Sequence, residues 1–496
     1  MTQIDIAITN ATIVDGSGRP GFRGTVYLSG DRIASVVAEG DGPGADGPGP
    51  ATPARRTIDA GGRILAPGFI DVHTHDDVAL IVRPEMPEKL TQGVTSVIAG
   101  HCGFSPFPLP ASGPLPQEFG ILLPDDRYRF PTMSSYLRAV ADAGPAVNYM
   151  ALAGHSALRV AAMSDLTRAA DRREISTMIS HLEEALDAGA IGLSSGLAYA
   201  MARGSDTAEL VSLAAAMRGA TGGFYVTHLR DEGDGLIDAV EEALTIGREG
   251  GVPVIFSHHK ATGAANHGKT AQSLALIDAA RAHQRIGIDA YPYTFSSTAL
   301  TIDRVRRGGV VVVARSGTMP EMTGKRLDAV AAELGCDIDA AVERLQPAGA
   351  LYFAMDDDDV DRVLAFAITM IGSDGLPFDP RPHPRLWGTF PRVLGRYVRE
   401  RGVLTLEDAV YRMTGLVADT FGIASRGRIA PDLQADIVLF DDSTIADAAT
   451  AEDPLAPSLG IDTVIVNGRI AIDNGRLTRE RAGTRMSLIQ SPLSSA

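Results

Sequence analysis

The stretch PGFIDVHTHDD, residues 67–77, places an apolar run directly before two histidines and two aspartates. Alternate side chains of an extended strand share a face, so His73 and His75 point the same way. Such a pair is either a pincer for a metal ion or two solvent-facing histidines on a loop, and the motif alone does not choose. The choice comes from what the rest of the chain sets beside it.

Seven further apolar runs follow: VTSVIAGHC, AVNYMALAGH, AIGLSSGL, GFYVTHLR, VPVIFSHHK, GIDAYPYT and FAITMIGSDG. Helix-like segments such as ISTMISHLEEALDAG, AELVSLAAAMRGA and LIDAVEEALTIGREG lie between them, the last closing on a glycine stop signal. Strands buried on both faces and alternating with helices imply a parallel sheet, and eight such units predict an α/β fold with a (β/α)8 TIM-like barrel. The chemically able residues come last in these runs: His73 and His75, Cys102, His155, Ser194 and Ser195, His228, His258, Tyr291 and Asp374. In a barrel those ends converge on one face, where active sites of this fold sit.

The first sixty or so residues read instead as short strands and turns, as in DIAITNATIVDG and GTVYLSGDRIASVVA, and the texture returns in ADIVLFDDSTIAD and DTVIVNGRIAIDNGRLT. A small β-sandwich domain built from both chain ends, 1–63 and 425–496, is expected around a barrel spanning 64–424. The Gly/Pro/Ala tract at 39–54 is expected to be its surface loop. The connection after the seventh strand, about 300–365, is long enough for a lid or specificity insertion.

Composition narrows the partners. The chain has 496 residues, with 45 Lys and Arg against 61 Asp and Glu, a formal charge of −16. That disfavours nucleic acid and anionic membrane surfaces and leaves small molecules. There are two cysteines, Cys102 and Cys336, too few for a disulfide framework, and no stretch reads as a leader or a membrane span. The expected location is the cytoplasm. Oligomeric state is not encoded in any pattern we recognise.

Each candidate has a bland reading. A single free cysteine is more often a small buried hydrophobe than a ligand, and an aspartate in SDG is often a turn former. Company changes the weighting: Cys102 with His228 and His258 is a borderline-soft set suited to zinc with a fourth position open. Asp374, at another strand end, can take a proton from an attacking water and return it to a leaving group. His101 and His259 are expected to face away from their ligand neighbours, and His155 to be either an orienting partner or a satisfied buried histidine. Asp71 is a candidate orienter of His73, and Cys336 is expected to pack within the insertion.

These motifs, with GLSSGLAYA, THLRDEGDGLIDAVEE, DAYPYTFSST and GRIAPDLQADIVLFD, resemble the amidohydrolase superfamily and, within it, the N-acyl-D-amino-acid deacylases (D-aminoacylases). The fourth run, IGLSSGL, lacks the metal-bridging lysine of other branches. The resemblance implies a zinc-dependent hydrolysis of linear N-acyl-D-amino acids. It implies a tight Zn2+ site at Cys102, His228 and His258, and a weaker position at His73, His75 and Asp374 with Cys102 shared. It further implies Asp374 as general base and then acid, Tyr199 as the group polarising the scissile carbonyl, and Lys260, Tyr291 and Arg385 as holders of the substrate α-carboxylate.

The side chain is less determined. Ala299, Leu300 and Ile302 suggest a neutral, hydrophobic substrate, whereas Arg304 suits an acidic one, as in D-glutamate or D-aspartate deacylases. A cyclic-amide hydrolase of the hydantoinase kind is a second enzyme reading, with Cys102 replacing the missing lysine. A catalytically silent barrel scaffold should lack several of the six ligand candidates, and all are present.

Overall fold

The computed structural model describes residues 3–40 and 53–489. The tract at 39–54 therefore lies mostly outside the described residues.

Eight parallel strands carry the runs read above: β1 (Phe69–Asp71), β2 (Val94–Ala99), β3 (Asn148–Ala151, resumed at Ala153–Gly154), β4 (Gly192–Gly196), β5 (Phe224–His228), β6 (Val254–Phe256), β7 (Ile286–Ala290) and β8 (Thr369–Ile371). They pair in sequential order, β1 to β3 in one ladder and β3 to β8 in another. A parallel bridge between Thr74 and Gly375 then brings the end of β8 to the end of β1. Ile70, Val72, Ile98, Met150, Leu152, Phe224, Val226, Ile255 and Met370 point to one side and share a buried cluster with Leu416, Phe421 and Met486. Gly287 leaves room there, since a Cβ on it would lie 2.7 Å from Ile255.

The helices between strands end where the sequence says they should. Arg172–Ala188 starts at a capping box formed by Asp171 and Glu174 and stops at Gly189, whose φ is 109°. Leu236–Gly250 stops at Gly251, φ 72°. No helix among the described residues is long and apolar enough to cross a membrane.

Both chain ends enter one hydrogen-bonded sheet of nine strands, in which Ile64–Pro67 lies between Ile4–Ile13 and Ile437–Phe440. Ile64–Pro67 falls just past the boundary expected at 63. Its hydrophobic face gathers Ile6, Ile8, Val26, Leu28, Leu65, Ile437 and Ile465. Two Asn-Gly turns, 467–468 and 474–475, have positive φ at both residues, the conformation of a tight hairpin between twisted strands.

The insertion after β7 is a separate small layer. Ser296–Ala299, Val310–Ser316 and Ala348–Phe353 form an antiparallel sheet with Ala348–Phe353 in the centre. Helices Leu327–Leu334 and Ile338–Leu345 close its own core of Leu300, Val313, Val330, Val342 and Leu345, against which Ile302 and Cys336 pack. Asp357–Ala365 belongs elsewhere: it packs on Lys269–Ala280, and Asp359 accepts the Gly268 N–H at 2.7 Å. The added layer therefore runs from 296 to 353 rather than from 300 to 365.

Candidate metal centre

The ends of β1, β2, β5, β6 and β8 bring His73, His75, Cys102, His228, His258 and Asp374 into one buried cluster. Cys102 is central, with Sγ 3.4 Å from His73 Nε2 and 3.4 Å from His258 Nε2. His258 Nε2 is 2.9 Å from His228 Nδ1. Asp374 Oδ1 stands 3.5 Å from His73 Nε2 and 3.2 Å from His75 Nε2. Ligand-capable atoms of His73, Cys102, His258 and Asp374 lie within 4.8 Å of one another, and His228, Glu232 and His258 form a second such group.

The local backbone is unusual where it matters. Cys102, His258 and Asp374 have φ of 57°, 36° and 49°, a left-handed conformation that costs a non-glycine residue about 1–3 kcal/mol and persists only where its surroundings impose it. Small neighbours allow the approach: a Cβ on Gly196 would lie 2.1 Å from the Cys102 carbonyl oxygen, and one on Gly372 would lie 2.6 Å from the His73 Cβ.

These residues fit a cation. Burial holds His73 and His228 well below the ordinary imidazole range, so each is neutral and keeps a lone pair. The His228 nitrogen that faces His258 is Nδ1, and its Nε2 stands 3.7 Å from Glu232 Oε2. Burial favours the neutral acid of Asp374, but Arg385 and the nearby imidazoles outweigh it and hold the carboxyl well below the usual range. Burial pushes the Cys102 thiol well up, with nearby carboxylates adding to the effect. A cation at the cluster reverses that balance, because it favours the thiolate.

Two carboxylates that the sequence reading passed over set the imidazoles. Asp289, at the end of β7, receives His73 Nδ1 at 3.0 Å and the His258 backbone N–H at 2.8 Å. A proton on His73 Nδ1 leaves Nε2 free to face the cluster. Glu232, in the LRDEGDG loop, stands 3.1 Å from His258 Nδ1 and pairs with Lys260. Asp289 lies inside the seventh run, two residues before the Tyr291 named there. Glu232 carried no readable signal beyond being one of several acids in a loop.

Of the expected substrate groups, Lys260, Tyr291 and Arg385 do assemble. The Tyr291 ring lies under both cations, 4.5 Å from the Arg385 Cζ and 5.6 Å from Lys260 Nζ. Arg385 is fully buried, its Nη1 2.8 Å from Asp374 Oδ2 and its Nη2 donating to the Ser297 carbonyl at 3.2 Å, while its Nε has no partner among the described residues. His383 accepts the Arg385 N–H at 3.0 Å and fixes the start of that helix. Lys260 is committed within the protein, to Glu232 and to the His258 carbonyl at 3.0 Å. The Tyr199 hydroxyl pairs with Thr298 at 3.1 Å, and its ring stands 5.0 Å from that of His228.

The remaining histidines sort clearly. His259 bonds Ser273 at 2.8 Å, facing away from the cluster, and His155 pairs with Glu209 at 2.8 Å beside Arg159, in a buried network of its own. His101 does not face away: its ring stacks on His73 at 4.0 Å, because the chain has already left the strand and the alternation rule no longer applies. Leu300 and Ile302, expected to line a side-chain pocket, are taken up by the core of the insertion.

A buried set of thiol, imidazole and carboxylate donors at the ends of parallel strands defines a metal-binding site of the hydrolytic kind. The chain belongs to the amidohydrolase family, whose model matches residues 56–472. It is 46% identical over 481 residues to an N-acyl-D-aspartate deacylase of Alcaligenes xylosoxydans xylosoxydans, covering 97% of this chain and 94% of that one. It is also 46% identical over 479 residues to a D-aminoacylase of the same organism, covering 97% and 96%. Among solved structures, an N-acyl-D-glutamate deacylase from Bordetella bronchiseptica, complexed with zinc and a phosphonate inhibitor, matches with a TM-score of 0.92 at 42% identity, covering 98% of this chain and 99% of that one.

Proposed function

We propose that this protein is a zinc-dependent deacylase that hydrolyses the amide bond of N-acyl-D-amino acids, releasing a D-amino acid and a carboxylate. The observation that carries this reading is the Arg385–Asp374 pair, which sets a guanidinium with an unspent donor beside a carboxylate facing the donor cluster. The relatives support the D configuration and the linear amide. Zinc suits the sulfur and nitrogen donors, with Cys102, His228 and His258 as the tight site and His73, His75 and Asp374 as the weaker one. In the same reading the eight strands close as a (β/α)8 barrel, residues 296–353 act as the lid, and a reducing compartment, the cytoplasm, suits the free Cys102.

A cation held at the cluster supplies Lewis-acid polarisation of the scissile carbonyl and acidifies an attacking water. The protein's groups do the rest. Arg385 takes the α-carboxylate through its fork, with the Tyr291 ring holding the guanidinium plane. Tyr199 donates its hydroxyl proton as a hydrogen bond to the carbonyl oxygen, where burial keeps the phenol protonated. Asp374, ionised in this site, accepts the water proton at Oδ1 and passes it to the departing amine nitrogen as the C–N bond breaks.

For the side chain, Arg304 is the deciding group. It is half-buried on the insertion, its Cζ 5.9 Å from the Tyr199 ring, and two of the apolar residues expected beside it, Leu300 and Ile302, face the insertion core. This favours an acidic side chain over the neutral one expected from sequence. Amine release from a panel of N-acetyl-D- and N-acetyl-L-amino acids, with and without a chelator, tests the reading. N-acetyl-D-glutamate and N-acetyl-D-aspartate should lead and the chelator should abolish release. Leucine ahead of both restores the neutral pocket, and an L preference or chelator-insensitive release refutes the proposal.

Arg385→Lys should raise KM for N-acyl amino acids by about 10-fold or more while leaving KM for analogues without the carboxylate near the parent value, because an ammonium cannot reproduce the two-point fork; any loss of kcat through the contact with Asp374 should be common to both. An equal rise in KM on both kinds of substrate would place the carboxylate elsewhere.

A further inference from the structure

Neighbouring parallel strands here are joined by backbone ladders, with one exception. Where β8 meets β1, the described backbone contacts are the Thr74–Gly375 bridge and the Asp374 N–H donating to the His73 carbonyl at 2.8 Å. Both sides of that seam carry the chemistry: His73 and His75 on one, Asp374 on the other. A side-chain junction spans it. Lys89, in the short helix Pro87–Leu90, has no exposed surface, and its ammonium reaches Asp71 Oδ2 at 2.8 Å, Asp76 Oδ2 at 3.0 Å and Ser373 Oγ at 3.1 Å. Two of its donors make hydrogen bonds, to Asp71 and Ser373, and the Asp76 carboxylate stands at ion-pair distance. Asp71 Oδ1 receives the Ser373 N–H at 2.8 Å and the His73 N–H at 3.4 Å, and Ser373 Oγ accepts the Gly375 N–H at 3.3 Å.

We propose that Lys89 is a positioning residue for the reaction: through Asp71 and Ser373 it fixes where Asp374 stands relative to His73 and His75. The junction holds the residues on both sides of Asp374, whose backbone is in the left-handed region at φ 49° and would relax without neighbours to impose it. Stability alone is a poor reason for such a group. A buried ammonium between carboxylates loses hydration on every member, and well-packed apolar side chains commonly serve stability as well or better. What an ionic junction adds is a defined geometry, and misplacing a reacting group by about 1 Å can cost on the order of 10²-fold in rate.

The proposal rests on Asp374 being the proton-transfer group, and the test separates the two ideas. Ser373→Ala removes one arm of the junction without leaving a buried charge unpaired. It should lower kcat roughly 10-fold, with KM within about 2-fold of the parent and zinc content unchanged. In an Asp374→Asn background the same change should have no further effect, since there is no proton-transfer carboxylate left to misplace. Lys89→Met, combined with Asp71→Asn to limit the uncompensated charge, should lower kcat more than Ser373→Ala does, with thermal melting used to show that the variant is folded. A kcat within about 2-fold of the parent for Ser373→Ala, or the same fractional loss with and without Asp374, overturns the positioning role. Near-parental turnover in Asp374→Asn alone would instead refute the base assignment.

Discussion

Asp374→Ala is expected to retain its tightly held metal and to lose between about 10²- and 10⁴-fold in kcat, the range proton transfer by a positioned side chain contributes. Asp374 Oδ1 faces His73 and His75 at 3.5 and 3.2 Å while Oδ2 is held by Arg385 at 2.8 Å, so one oxygen is tethered and the other is turned to the cluster. The Cys102, His228 and His258 contacts do not pass through Asp374, which is why tight metal should survive its removal. Steady-state turnover with metal analysis of the same preparation checks this. Near-normal turnover would show that the proton travels by another group, and loss of all metal would show that Asp374 belongs to the tight site.

Cys102→Ala is expected to give up its metal on dialysis and to lose activity with it. The thiol is within 3.4 Å of both His73 Nε2 and His258 Nε2, so it is common to both halves of the donor cluster. Deleting even the outer partners of metal ligands commonly weakens metal binding by about 10- to 100-fold, and loss of a shared ligand should exceed that. Full zinc occupancy in the dialysed variant would remove Cys102 from the ligand set. Burial of the site predicts that the apo variant stays folded, since an alanine replaces a small buried side chain.

The donor cluster was legible because each member ends an apolar run, and a strand end is a position that periodicity can locate. His73, Cys102, His228, His258 and Asp374 were found that way, and the structure brings them together. Asp289 lies inside its run and not at the end of it, and an aspartate after an isoleucine carries no metal signature until His73, 216 positions earlier, is seen to lie against it. Glu232 and Lys89 were unreadable for a different reason. Each has meaning only as the counter-charge of something remote, Lys260 for one and the Asp71–Ser373 seam for the other. Arg304 shows the same limit: Leu300 and Ile302 looked like its pocket mates by proximity in sequence, yet they serve the core of the insertion.

By itself the sequence determined the alternation of strands and helices, the Asn-Gly hairpins of the end-to-end sheet and which candidate donor side chains stand at strand ends, since these follow from local periodicity, turn chemistry and residue type. Only the tertiary structure decided which imidazole nitrogen faces the cluster, that Arg385 stands against Asp374 while Lys260 is committed to Glu232, and that β1 and β8 are joined by a buried lysine. Those facts depend on distances between groups far apart in the chain, and such distances are set by how the strands pack and not by any local pattern.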